Sequence, residues 1–389
     1  MSKQIFPSDE APQRCRTVSS LVLGLGFGLT GAGTVMLGVL LPVLSVKWGL
    51  RDDMAGFLFF LQFLGSGVGA LLTSANRTRS LISGYGLLVV MAGALVFAGP
   101  HTAFPIFFMY GLGLGMAMTA TSLLFSDRYG NDRAAMLERL NFGWSAGATA
   151  APILFVPFLR MVSLRPLFYT FQGLFLLLLI WVIVGERRDE SFTQSKTGEV
   201  QTQSPAHTGS LMSLVVLAMC AVGVESSLSG WLTTYSHRAD QAEIGGAAIA
   251  TSLFWFGIML SRLTFSTRLL AIMGRRRVLD LTLCGVAITV AALVGAHGSA
   301  LIRTTAALAG LCVGPLYPLL LSFLLERSPR GWIFAVAGLG SAIFPWLTGY
   351  LSAHFGSLRY GLIAPCCAAM VMIVLLTVSL RPMREQAAT

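Results

Sequence analysis

The chain has 389 residues, of which 55% are hydrophobic and only 11% charged, with a mean hydropathy of +0.74. A soluble domain carries about 25% charged residues, so this composition excludes a soluble enzyme or binding domain and indicates an integral membrane protein. The formal net charge of +10 does not indicate a nucleic-acid partner, because most Lys and Arg residues fall in short connections between apolar runs, where they set membrane orientation.

Taken in order, residues 1–18 form a polar tail that leads into an apolar run of about 25 residues. That run is too long for the core of a signal peptide and has no clear cleavage site, so it reads as a retained first helix. The apolar runs exceed 18 residues and lack the short alternation of a membrane barrel, so they predict helices. Broken at polar and Gly/Pro-rich turns, they predict about twelve spans. The first six fall near 19–45, 53–75, 80–98, 103–126, 134–158 and 165–185. The second six fall near 210–236, 243–271, 277–297, 300–325, 331–354 and 358–380. Residues 186–209 are polar and rich in Ser, Thr and Gln, as a flexible linker is, and they separate an N-terminal half (19–185) from a C-terminal half (210–380). Residues 381–389 form a second tail. With both termini cytoplasmic, roughly 20 basic residues lie inside, Arg262 among them, against roughly 7 outside, which fixes the orientation. Six cysteines are scattered, without metal-ligand spacing, and Cys366 and Cys367 are adjacent, so no disulfide framework, metal or cofactor is expected.

The halves resemble each other. Gly111-Leu112-Gly113-Leu114-Gly115 precedes Asp127-Arg128 just as Gly310-Leu311-Cys312-Val313-Gly314 precedes Glu326-Arg327, at an offset of roughly 199 residues. Gly147 to Pro152 in the fifth span likewise matches Gly340 to Pro345 in the eleventh. The fold class expected is therefore an all-α membrane protein with twelve transmembrane helices in two pseudo-symmetric six-helix halves.

Two six-helix halves joined by a long cytoplasmic linker resemble the major facilitator superfamily. That resemblance implies a secondary transporter, not an enzyme, whose halves rock about a midplane site. The family's cytoplasmic charged segment between spans two and three is eroded: Gly69 and the basic Arg77 and Arg79 are kept, but the acid is missing. Its second-half counterpart is Gly257 to Arg262, leading to Gly274-Arg275-Arg276-Arg277. Within the superfamily three stretches resemble the fucose–proton symporter group and related bacterial sugar porters. They are Leu140-Asn141-Phe142-Gly143-Trp144 with Pro152, Gly223-Val224-Glu225 with Gly230-Trp231-Leu232, and Phe344-Pro345-Trp346 with Gly349.

Glu225 is the carboxylate that falls deep in a span, whereas the other acids fall in connections or near span ends. Burying a carboxylate in hydrocarbon is costly, so such a residue faces a cavity and has a function, unless neighbouring hydroxyls such as Ser226 and Ser229 merely satisfy it. A carboxylate that meets water on each side in turn can take up and release a proton, which makes Glu225 the expected proton-coupling group; sodium is the alternative ion. Asn141 and Gln62 offer a donor and an acceptor together, which suits sugar hydroxyls, although amides also join helices. Gln172 is expected to do the latter. Trp144, Trp231, Trp255, Tyr317 and Trp346 offer aromatic faces to the apolar C–H face of a sugar. Trp48 and Tyr235, and Trp181 and Trp332, are assigned to the interfacial aromatic belts. Gly230, Pro315 and Pro318 are expected to act in gating, with the tenth span as the gate helix.

The function expected is proton-coupled symport of a small neutral solute, a sugar above all, by a monomer in the cytoplasmic (inner) membrane. The alternatives are an exporter of amphipathic metabolites, drugs or lipids, and a membrane sensor that keeps the fold without transport. Against drug efflux, the fifth span lacks a Gly-Pro pair and the fourth lacks a central Arg. No ATP-binding signature is present, so a gradient must supply the energy.

Overall fold

The computed structural model describes residues 18–129, 133–161, 163–186, 208–241, 243–264, 270–327 and 332–379. The tail 381–389 lies outside the described residues, as do the linker 186–209 and the tail 1–18 apart from their edges.

In hydrocarbon, every backbone amide and carbonyl must find its partner within the chain, and apolar segments of this length do so as helices. The helices are α1 (Ser20–Trp48), α2 (Asp52–Leu71), α3 (Arg77–Leu95), α4 (Ala103–Tyr129), α5 (Arg133–Leu159), α6 (Arg165–Glu186), α7 (Thr208–Asp240), α8 (Ile244–Thr264), α9 (Leu270–Gly295), α10 (Ser299–Val313), α11 (Leu316–Arg327), α12 (Trp332–Phe355), α13 (Leu358–Gly361) and α14 (Ile363–Ser379). Eleven spans among the described residues are long and apolar enough to cross a membrane. Two of them are pairs of helices, α10 with α11 and α13 with α14. α12, 24 residues long, packs beside α2 and α7 in the same bundle.

The ends follow local chemistry. The Ser19 hydroxyl accepts the Leu21 amide at the start of α1, and α1 stops at Gly49, whose φ of 61° suits a residue without a Cβ. The predicted tenth span is not continuous, because Pro315 has no amide hydrogen to extend the ladder beyond Gly314. The chain restarts as α11 at Leu316, and Pro318 falls in its first turn, where amide hydrogens have no intrahelical partner in any case.

Successive spans alternate in direction, so Val18, Glu186, Thr208 and Ser379 share one face, here called the terminal face; the opposite one is the distal face. Of those eleven spans α1 is the most buried, at 72%, and it touches α2, α4, α5, α6, α7 and α8. α7 starts on the same face and touches α1, α8, α10, α11, α12 and α14. The first six helices meet the later ones chiefly along three seams, α1–α7, α2–α12 and α5–α8.

The distal ends of these seams are tightly closed. A Cβ on Gly38 would stand 2.8 Å from the Gly230 carbonyl oxygen, so only glycine lets α1 and α7 approach this closely. Gly56 admits the Trp346 backbone to α2 in the same way, with 2.9 Å to its oxygen. Arg238 at the end of α7 donates to both oxygens of Asp52 at the start of α2, at 2.6 and 2.8 Å, and Ser352 of α12 donates to the same carboxylate at 2.6 Å. Arg160 grips Glu243 at 2.8 and 3.3 Å, but both are well exposed, and such a pair contributes little. On the terminal face Arg77 pairs with Asp127 of α4. The acid missing from the segment between spans two and three is thus supplied by the end of the fourth.

Candidate functional site

A cavity of about 180 Å³ lies between α1, α2, α4 and α5 on one side and α7, α8 and α12 on the other. Helical spacing explains which side chains reach it. Phe59, Gln62, Phe63 and Ser66 recur at three- and four-residue steps and share one face of α2, and Val222, Glu225, Ser226, Ser229 and Gly230 do the same on α7. α5 contributes Trp144 and α8 contributes Trp255. The Gly38–Gly230 approach, with the Phe59 ring against Gly230, bounds the cavity toward the distal face.

Glu225 stands midway along α7, and its side chain is 18% exposed. Its Oε2 lies 3.9 Å from Arg262 Nη2, close enough for attraction but too long for a hydrogen bond. Arg262 Nη1 donates to Ser145 Oγ of α5 at 2.9 Å. The basic-residue count placed Arg262 on the inner side; it occupies the last turn of α8, its side chain 22% exposed, with the guanidinium toward Glu225.

Gln62, 1% exposed, donates through Nε2 to the Thr34 carbonyl at 2.9 Å, which leaves Oε1 buried without a partner. Trp144 and Trp255 meet edge to face, ring centroids 5.1 Å apart, and both indole N–H groups are buried without partners. A buried polar group left unpaired costs about 1–3 kcal/mol, and three of the residues that line the cavity carry one, two donors and one acceptor. The hydroxyls of Thr34, Ser226, Ser229 and Ser341 donate to carbonyls of their own helices. Toward the cavity they therefore serve as acceptors. The site can hold a small molecule that presents both donors and acceptors while laying an apolar face on Phe59, Phe63 and the indoles.

Of the residues singled out in the sequence, the cavity brings together Glu225, Gln62, Trp144, Trp255 and Gly230. Asn141 is exposed and does not line it; it lies one turn toward the terminal face from Trp144, on the same face of α5. Trp231 does not line it either. Its indole is wholly buried and donates to the Pro345 carbonyl at 2.8 Å, which fastens α7 to α12. Trp346 lies outside the cavity, 38% exposed, its ring beside Phe60 and Tyr350. Tyr317, Pro315 and Pro318 sit at the start of α11 or just before it, also outside the lining.

Trp48 and Tyr235 are not belt residues, being 9% and 1% exposed, and the Tyr235 hydroxyl donates to the Leu293 carbonyl at 2.7 Å. Trp181, 56% exposed, stands where a belt residue would, whereas the Trp332 side chain is outside those described. Gln172 abuts Gly93 of α3. The sequence did not single out Arg262, Ser145, Phe59, Phe63 or Ser66 for the site. An Arg two residues from a helix end looks like any orienting charge, and a Phe or Ser in a span carries no signal of its own.

The sequence profile of the Major Facilitator Superfamily matches residues 23–331. No curated protein matches the chain. Among solved structures, the crystal structure of the nucleoside transporter NupG is similar, with a TM-score of 0.69 over 93% of this chain and 98% of that one, at 13% sequence identity. Likeness at that identity is likeness of fold.

Proposed function

The chain belongs to the Major Facilitator Superfamily, and on that premise we propose that it carries a small neutral, hydroxyl-rich solute of the sugar class by proton symport. The coarser statements stand without the proposal: it is a multi-pass integral membrane protein and a secondary transporter of small molecules. The observation that carries the finer reading is the cavity. It joins one carboxylate, Glu225, to the unpaired Gln62 Oε1, Trp144 Nε1 and Trp255 Nε1, among aromatic faces. Hydroxyl groups both donate and accept, and a sugar has apolar C–H faces besides. The volume of about 180 Å³ falls below the roughly 300–1,000 Å³ of drug-sized sites, which favours a small solute over an amphipathic drug or lipid.

In this reading residues 19–185 and 210–380 are two halves that move about the cavity, and the terminal face is cytoplasmic. The distal closure by Gly38–Gly230, Gly56–Trp346 and Asp52–Arg238 then seals the outer side. Glu225 is the proton carrier; Gln62, Trp144 and Trp255 bind the solute, and Asn141 meets it on the way to the cytoplasm. Gly230, Pro315 and Pro318 serve the gating movement, with the break at Gly314–Pro315 as the place where the tenth span bends.

A ligand that binds the folded state raises its melting temperature. The purified protein is therefore to be screened by thermal shift against monosaccharides, nucleosides, organic acids and lipids. Stabilisation by particular monosaccharides supports the sugar reading. Nucleosides join the panel because their ribose offers similar hydroxyls and because the structural neighbour is a nucleoside transporter. Stabilisation confined to organic acids or lipids contradicts the proposal.

A further inference from the structure

Resting on the proton-coupling reading of Glu225, we propose that Arg262 is a positioning residue: it holds the ionised carboxylate at the cavity edge and carries its charge state across the α5–α8 seam to Ser145. The guanidinium has two partners on two helices. Nη1 donates to Ser145 Oγ at 2.9 Å, and Nη2 faces Glu225 Oε2 at 3.9 Å. Ser145 is fully buried, and Arg262 Nε is buried without a partner.

Geometry couples the two contacts. Nη1 and Nη2 belong to one rigid planar fork, so a movement of the guanidinium toward or away from Glu225 also moves its hold on Ser145. While Glu225 is ionised, carboxylate and guanidinium balance each other in a partly buried place. When Glu225 takes a proton, Arg262 loses that counter-charge, and a partly buried cation is then less well balanced. The guanidinium then moves, and the seam moves with it, because Arg262 acts on α5 through Ser145. A second bond, from Ser252 Oγ to the Thr149 carbonyl at 2.8 Å, ties the same two helices one turn further along α5, so the effect is concentrated at the terminal end of the seam.

Other titratable groups on helices packed against α7 are poorly placed to take this part. Tyr317 at the start of α11 carries no positive charge. Lys47 on α1, Arg303 on α10 and His354 on α12 sit at the distal ends of their helices. Cys312 on α10 turns to Gly285 of α9, and Cys366 and Cys367 lie near the distal start of α14.

The test needs no substrate. In the full-length protein in lipid discs, with native cysteines replaced, spin labels are placed through Glu138→Cys on α5 and Leu263→Cys on α8, both exposed positions. The distance between them is followed from about pH 5 to about pH 9, a range wide enough for a perturbed carboxylate. The expected result is a pH-dependent shift that Glu225→Gln and Arg262→Gln both abolish, that Ser145→Ala reduces, and that Arg262→Lys partly restores. If Arg262→Gln keeps the shift while Glu225→Gln abolishes it, the role of Arg262 is overturned and that of Glu225 stands. If Glu225→Gln also keeps the shift, or the parent protein shows none, the proton-coupling reading falls and this inference with it. Should Arg262→Gln fail to fold, Ser145→Ala decides: an undiminished shift overturns the proposal.

Discussion

Three tryptophans stand where the first six helices meet the later ones, and they are used in opposite ways. Trp231 is sealed, its N–H bonded to the Pro345 carbonyl and its ring 5.8 Å from that of Phe59. Trp255 is nearly as buried and Trp144 partly so, yet their N–H groups have no acceptor. The distal seam and the cavity repeat the contrast with charge: Asp52 takes three hydrogen bonds from Arg238 and Ser352, whereas Glu225 faces Arg262 at 3.9 Å without one. Residue type and depth therefore do not separate scaffold from site. Among these three tryptophans and two carboxylates, what differs is whether the polar atoms are already paired.

This contrast can be broken at either end. The largest effect is expected at Trp231, where Trp231→Ala removes a buried ring and its bond and should lower stability by about 3–5 kcal/mol. Denaturant or thermal unfolding in detergent measures it, and a loss below about 1 kcal/mol would show that the α7–α12 fastening is not structural. Next comes Asp52→Asn, which takes away charge-assisted hydrogen bonds worth about 1.5–3 kcal/mol. A cysteine placed at Ser229 in the cavity should then react with an impermeant maleimide from the distal side about tenfold faster or more. An unchanged rate would mean that this ion pair does not close the distal side.

Trp144→Phe and Trp255→Phe remove N–H groups that have no partner, so stability should hardly change. Solute affinity should weaken roughly twofold to tenfold for each, the worth of one hydrogen bond of about 0.5–1.5 kcal/mol. Isothermal titration with a solute found in the screen reads this directly, and undiminished affinity in both variants would remove the indoles from the site. The smallest effect is expected at Gln172, which packs against Gly93; Gln172→Met should leave solute binding as it was.

The spans were legible because hydrocarbon enforces long apolar helices, and the structure places their ends within a few residues for most of them, as in α1 at Ser20–Trp48 against the expected 19–45. The eighth was expected to reach 271; α8 spans Ile244–Thr264, and 265–269 lie outside the described residues. Pro315 was read as a flexible point of the tenth span, and the structure makes it a break between two helices. Glu225 was legible because few physical reasons other than function put a carboxylate at mid-span. Its partner was not. Arg262 is 37 positions away on another helix, and only the packing of α7 on α8 brings the two charges together. The three tryptophans could not be told apart either, since an acceptor for Trp231 exists only once α12 is in place.

Gradient-driven uptake tests the central claim most directly. In proteoliposomes supplied with an inward proton gradient and a monosaccharide that stabilises the protein, the parent chain should concentrate the sugar, and Glu225→Gln should only equilibrate it while still exchanging labelled for unlabelled sugar. Concentration by Glu225→Gln to the level of the parent would contradict the assignment of Glu225 as the proton carrier.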